Sequence, residues 1–164
     1  KKIAGVAHEA GKGIVIVVNK WDAIDKTDKT IYEYTNKIKT VLSFIPYAEF
    51  VFVSALTGQR MNKLFEMIDM VRENQTLRIA TGVLNEILAE AVALQQPPSD
   101  KGKRLKVFYI TQISTRPPTF VCFVNQKALF HFSYQRYLEN QIRAVFGLEG
   151  TPIRMVIRQK GEQE

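Results

Sequence analysis

Two short runs of apolar residues constrain this chain more than anything else in it: Ile14-Val15-Ile16-Val17-Val18 and Phe50-Val51-Phe52-Val53. Neither alternates with polar residues, and a continuous β-branched and aromatic run of this length is the pattern of a strand buried on both faces, as in a parallel sheet. Between them Ile31, Tyr34, Ile38, Val41, Leu42 and Ile45 recur at helical spacing until Pro46, and after the second run Leu64, Phe65, Ile68 and Val71 mark another helix. Parallel strands need a crossover, so strand, helix, strand, helix reads as a right-handed βαβ unit of an α/β domain. Ahead of it Ile3, Val6, Ala7 and Ala10 mark a helix stopped by Gly11. That helix starts at residue 1 without an N-cap, which suggests that earlier partners of this domain lie outside the sequence.

The second half has another rhythm. Ile79, Val83, Leu84, Ile87, Leu88, Ala91 and Val92 form an apolar helix face, the stretch 95–103 reads as a loop, and two strands, Leu105 to Thr115 and Thr119 to Asn125, flank the turn-like Arg116-Pro117-Pro118. A helix with Tyr134, Leu138, Ile142, Val145 and Phe146 stops at Gly147, and Ile153 to Ile157 is a last strand. The order α-β-β-α-β defines an α+β domain. The polar string Arg72-Glu73-Asn74-Gln75-Thr76 places the boundary, giving domains 1–75 and 76–164.

Composition removes several classes. The single cysteine, Cys122, closes no intrachain disulfide, and with His8 and His131 as the two histidines there is no metal-ligand spacing. No apolar run approaches the roughly 20 residues that span a bilayer, and no secretory signal precedes the first strand, so a reducing cytoplasm is the expected compartment and a membrane is not an expected partner. The net charge of +7 is uneven: 11 basic against 9 acidic residues up to Asn74, and 12 against 7 from Gln75 onward. A basic second half invites a polyanion, because neutralised phosphates release counterions.

Chemistry concentrates where the two runs end. Asn19-Lys20-Trp21-Asp22 follows the first and Ser54-Ala55-Leu56 the second, both at carboxyl ends of strands, where open α/β sheets bind ligands. A carboxylate only accepts hydrogen bonds, so Asp22 suits guanine, which offers its N1 proton and exocyclic amino protons, and not adenine, whose N1 is an acceptor. Asn19 braces the loop and reaches the base edge, the Lys20 stem lies along the purine face, and the Ala55 N–H suits the O6 acceptor, with Ser54 and Ala55 small enough for close approach. Trp21 packs on the loop. A phosphate-binding loop, Gly-x-x-x-x-Gly-Lys-Ser/Thr between strand and helix, is missing: Gly11-Lys12-Gly13 has the wrong spacing and runs from helix to strand. No Asp-x-x-Gly occurs either, so no catalytic residue and no metal ligand is assigned, and this chain alone is expected to hydrolyse no GTP.

These motifs resemble the C-terminal part of the bacterial double-Era GTPases, the family called Der or EngA. Asn19-Lys20-Trp21-Asp22 matches its guanine-specificity motif and Ser54-Ala55-Leu56-Thr57-Gly58 the base-binding motif that follows. Ile3-Ala4-Gly5 through Gly11-Lys12 resembles the preceding helix. Arg116-Pro117-Pro118-Thr119-Phe120, Phe123-Val124-Asn125 and Gly150-Thr151-Pro152-Ile153-Arg154 resemble its KH-like domain. The resemblance implies the later part of a P-loop GTPase domain, with its βαβα order and parallel strands, followed by a KH-like domain. It further implies GTP or GDP with Mg2+ in the longer protein, neither held tightly by this piece, and a role in assembly of the large ribosomal subunit. The partners implied are that subunit or its RNA and the protein's own GTPase domains; DNA is not among them. The competing reading is a stand-alone RNA-binding or protein-docking module without nucleotide chemistry.

The basic candidates for RNA or ribosome contact are Lys101, Lys103, Arg104, Lys106, Arg116, Arg154 and Arg158, which line one side of a sheet if the three strands share it. Edge-strand lysines that prevent aggregation are the bland alternative. KH domains grip RNA with a Gly-x-x-Gly loop between two helices, whereas Gly147-Leu148-Glu149-Gly150 lies between helix and strand and reads as a helix C-cap. Phe108, Tyr109, Phe120, Phe123, Phe130 and Phe132 read as aromatic core in preference to a base-stacking platform. Cys122 reads as a packed small hydrophobe.

Overall fold

The computed structural model describes residues 1–27 and 29–161, packed as two units. The first comprises Lys1–Thr76 together with Leu148–Pro152; the second comprises Leu77–Gly147 and the residues from Ile153 on.

In the first unit α1 (Lys2–Glu9) precedes β1 (Val15–Val18), α2 (Thr30–Val41) follows a short 3-10 turn (Trp21–Ala23), and β2 (Glu49–Phe52) leads to α3 (Met61–Thr76). β1 and β2 pair in parallel, Val15 with Glu49 through Val18 with Phe52, which is the register the two apolar runs call for. Burial on both faces holds for β2, where the consecutive Val51, Phe52 and Val53 are all buried, and fails in β1, where Val17 is 43% exposed. Among the described residues this sheet has two strands, and Val17 lies on the less covered face of β1. The covered face rests on Ile14, Ile45 and Ala48, with Ala4 and Ala7 of α1 and Leu42 and Tyr47 against them. α2 ends at Val41, four residues short of Ile45, because the chain breaks into turns that carry Ile45 into this core. The string 72–76 is the last turn of α3 and not a linker: its amides bond to backbone instead of water.

Those bonds reach a segment distant in sequence. Asn74 Nδ2 donates to the Glu149 carbonyl at 2.9 Å, and Gln75 Nε2 to the Gly11 carbonyl at 3.0 Å and Thr151 Oγ1 at 3.2 Å. Gly150 then takes the place of a strand residue at the amino ends of β1 and β2. Its N–H donates to the Tyr47 carbonyl at 2.8 Å and its carbonyl accepts from the Ile14 N–H at 2.6 Å. Gly147 does end the preceding helix, with φ 72° and its N–H on the Arg143 carbonyl, as a C-cap should. What the local pattern misses is that the next residues serve the first unit's core.

The second unit has α4 (Thr81–Leu94), a two-residue ribbon β3 (Ser99–Asp100) and β4 (Lys103–Arg104), then β5 (Val107–Ser114), β6 (Thr119–Val124), α5 (Phe132–Phe146) and β7 (Arg154–Gln159). Where a loop was expected over 95–103, Lys101 and Gly102 take positive φ and close the β3–β4 hairpin. The sheet order is β5-β6-β7, antiparallel then parallel. Ile110, Leu84, Ile87, Leu88, Ala91, Leu138 and Ile142 meet between the sheet and the two helices. Asn85 closes the β5 edge: its Oδ1 accepts from the Ile110 N–H at 3.1 Å and its Nδ2 donates to the Ile110 carbonyl at 3.0 Å, as a neighbouring strand would. Among the described residues no helix is long and apolar enough to cross a membrane, and no group of His, Cys, Asp or Glu is arranged to hold a metal ion.

Candidate guanine site and basic surface

The segments after β1 and β2 meet at the carboxyl ends of their strands. The Val53 N–H donates to the Val18 carbonyl at 2.9 Å and the Trp21 N–H to the Val53 carbonyl at 3.1 Å, so the parallel ladder continues into the site. Lys20 sits at φ 60°, a left-handed turn that costs a non-glycine residue about 1–2 kcal/mol and bends the chain into the 3-10 turn holding Asp22. Trp21 anchors that turn. Its ring is buried against Phe52 at 4.7 Å between centroids and edge-on to Tyr34 at 5.7 Å, as packing on the loop requires.

Two side-chain bonds join the segments. Ser54 Oγ donates to Asp22 Oδ1 at 2.5 Å and accepts from the Thr57 N–H at 3.2 Å. Asn19 Oδ1 accepts from the Ala55 N–H at 3.1 Å and from the Lys20 N–H at 2.7 Å. The Ser54 hydroxyl above all, helped by the backbone N–H of Asp22 and the charges of Lys26 and Lys20, holds the Asp22 carboxyl below its ordinary value against the opposing effect of desolvation. Asp22 is therefore an ionised acceptor, and with about four lone-pair directions on two oxygens it still accommodates two donors from a ligand. Ser54 itself is fully buried, so it orients Asp22 and does not face a ligand. The Ala55 N–H, expected to meet a purine O6, is taken by Asn19 in this state; a ligand acceptor would have to compete for it. Lys20, Ala55 and Leu56 are exposed, Leu56 at 87%.

The basic residues do not form one row. β4, which carries Lys103 and Arg104, pairs with β3 alone, so Lys101, Lys103 and Arg104 lie on a separate ribbon and not on the three-stranded sheet. The ribbon is tied to the end of β6 by Asn125, whose Nδ2 donates to the Arg104 carbonyl at 2.9 Å and whose Oδ1 accepts from the Lys106 N–H at 2.9 Å. Arg154 and Arg158 do share a sheet face, four residues apart on β7 opposite Thr119 and Phe123. Arg116 stands at φ 57° in the β5–β6 turn, before a cis Arg116–Pro117 bond. All seven side chains are exposed. The aromatics divide as well: Phe120 is core, whereas Phe108 and Tyr109 are 47% and 44% exposed and Phe132 is 69% exposed.

The family described as KH-domain-like of EngA bacterial GTPase enzymes, C-terminal, matches residues 78–158. A GTPase Der from Lachnospira eligens is 66% identical over 163 residues, which is 99% of this chain and 37% of the relative. Another from Agathobacter rectalis is 63% identical over the same 163 residues and shares. The chain belongs to the Der (EngA) GTPase family. It spans 37% of the length of these curated relatives. Among solved structures, one of Aquifex aeolicus Era bound to GDP.AlF4- aligns over 90% of this chain and 55% of that one, at 15% identity and a TM-score of 0.31, too slight a likeness to argue from.

A nucleotide of the kind a GTPase binds fits the residues present only at its base. Gly11 and Gly13 make no phosphate cradle: Gly11 lies in the turn from α1 to β1 with its carbonyl held by Gln75, and a Cβ on Gly13 would stand 2.6 Å from Val71 Cγ1, so that glycine serves close packing on α3. Sequence reading of the Der motif misses the Ser54–Asp22 and Asn19–Ala55 bonds, since each joins residues more than 30 positions apart.

Proposed function

We propose that this chain contributes guanine recognition and a KH-like RNA- or domain-docking module to a cytoplasmic, GTP-hydrolysing protein that acts in large ribosomal subunit assembly. The observation that supports it is the pairing of the two strand-end segments, with Asp22 ionised and oriented by Ser54 while Asn19 locks the facing backbone. Guanine donates its N1 and amino protons to Asp22; adenine would set an acceptor against a carboxylate and leave that charge unpaired. Asn19, Lys20, Ala55 and Leu56 surround the base. GTP or GDP with Mg2+ would be held at the phosphates by parts of the longer protein outside this sequence.

The test is Asp22→Asn in a full-length Der. The new amide donor suits the O2 of xanthine, so preference should move from GTP toward xanthosine triphosphate by roughly tenfold or more; unchanged GTP preference would count against Asp22. On the KH-like side, Lys103, Arg104 and Lys106 replaced together by Ala should weaken ribosome association in a salt-dependent way if they meet RNA. Undiminished association would remove these three residues from any RNA contact and favour docking on the GTPase domains.

A further inference from the structure

Apart from Arg154 and Arg158, the face of the β5-β6-β7 sheet that carries Tyr109 and Phe123 has been given no role above. Tyr109 and Phe123 stand opposite each other across β5 and β6, with rings stacked 4.3 Å apart and within 14° of parallel. Phe108 lies beside them, where the β5 register shifts between Val107 and Tyr109. Lys160 Nζ sits 5.3 Å from the centre of the Phe108 ring. Together with Lys127 and Arg158 these rings line a groove of about 590 Å³, all within the second unit, and no acidic side chain among the described residues lines it.

Exposed aromatic rings are unfavourable in water, and the exposed Phe108 and Tyr109 beside the half-buried Phe123, with Lys160 over Phe108, describe a particular kind of ligand. A flat, nearly parallel ring pair is a π surface that a planar base extends, and base stacking needs no specific hydrogen bonds. Lys160 and Arg158 beside the rings suit the phosphates that accompany such bases. An apolar peptide would match the rings alone, whereas unpaired nucleotides offer a planar base to the rings and a phosphate to Lys160. We propose that this groove binds single-stranded RNA by stacking unpaired bases on Tyr109, Phe123 and Phe108 with their phosphates at Lys160 and Arg158. This rests on the reading that the KH-like unit meets RNA, and it adds a contact on the sheet face to the one expected at the β3–β4 ribbon.

Fluorescence anisotropy with the 164-residue chain tests it, using a labelled adenosine RNA octamer and an abasic ribose-phosphate octamer of equal charge. The wild-type chain should bind the base-bearing octamer more tightly, and Tyr109→Leu or Phe108→Leu should weaken it roughly 5- to 150-fold, the span that 1–3 kcal/mol of stacking corresponds to. Affinity for the abasic octamer should hardly change, and Tyr109→Phe should retain stacking; a thermal melt checks that each variant is folded. Equal binding of both octamers, or Leu variants that bind like wild type, would overturn the groove while leaving RNA contact elsewhere intact. Failure of the wild-type chain to bind either octamer at low salt would remove the RNA reading altogether. Sedimentation showing self-association that Tyr109→Leu abolishes, without RNA binding, would reassign the face to a second copy of the chain.

Discussion

Gly150→Ala should unfold the first unit at markedly lower denaturant than the unaltered chain, and the size of the effect follows from two separate costs. Gly150 has φ +77°, a left-handed conformation in which an L side chain costs about 1–2 kcal/mol. A Cβ there would also collide with Val71 Cγ2 and lie 3.1 Å from Val71 Cβ and Cγ1. Val71 is β-branched and buried on α3, so it has no alternative rotamer to retreat into, and overpacking of this kind costs about 1–3 kcal/mol. The backbone cannot swing away cheaply, because Gly150 bonds to both Tyr47 and Ile14. The total is about 2–5 kcal/mol. With a urea slope of about 1–2 kcal/mol/M, the midpoint should fall by roughly 1 M or more. The chain's single tryptophan, Trp21, is buried in the first unit, so its fluorescence reports this transition directly. Val71→Ala separates the two costs: combined with Gly150→Ala it should cost less than the sum of the single changes by about 1–3 kcal/mol. Strict additivity would refute the steric part, and an unchanged midpoint for Gly150→Ala would refute the structural role of this segment.

Three further outcomes are expected. Ser54→Ala removes the main cause of the depressed Asp22 pKa, so Asp22 should titrate closer to an ordinary carboxyl in an NMR pH series. Because the folded value is the lower one, the ionised form's contribution is complete above the unfolded value of about 3.9 and is lost as pH falls through the folded value; an Asp22 titration indifferent to Ser54 would contradict the hydrogen bond. Asn85→Ala should lower the stability of the second unit by about 1–3 kcal/mol, since two hydrogen bonds on the β5 edge go unreplaced, and should speed exchange of the Ile110 amide above all others on β5. Cys122 is buried with its thiol pushed up to about 12, by desolvation first and then by Glu139, so at pH 8 a disulfide reagent should modify it only as the second unit opens; labelling at the rate of a free thiol in native buffer would exclude that packing.

The parallel pair, its crossover helix, the two strand-end segments and, apart from the β3–β4 ribbon, the α-β-β-α-β order are legible in the sequence, because each rests on local periodicity or on residues adjacent to a strand end. Asn19, Asp22 and Ser54 could be named from spacing alone. Their division of labour could not: that Ser54 is buried behind Asp22, and that Asn19 occupies the Ala55 N–H, depends on which atoms two distant segments bring within 3 Å. The same holds for Gly150, whose partners Ile14 and Tyr47 lie more than 100 residues away and leave no periodic trace. The aromatic reading failed at Phe108 and Tyr109 for a related reason. A three-stranded sheet with both helices on one side has a second face, and alternation along a strand does not say which face receives cover. Local patterning, which reports the period of burial, settled the elements and the chemistry on offer. Long-range packing, which reports what each face meets, decided which of those side chains are positioned, which are spent on structure and which stand open to a ligand.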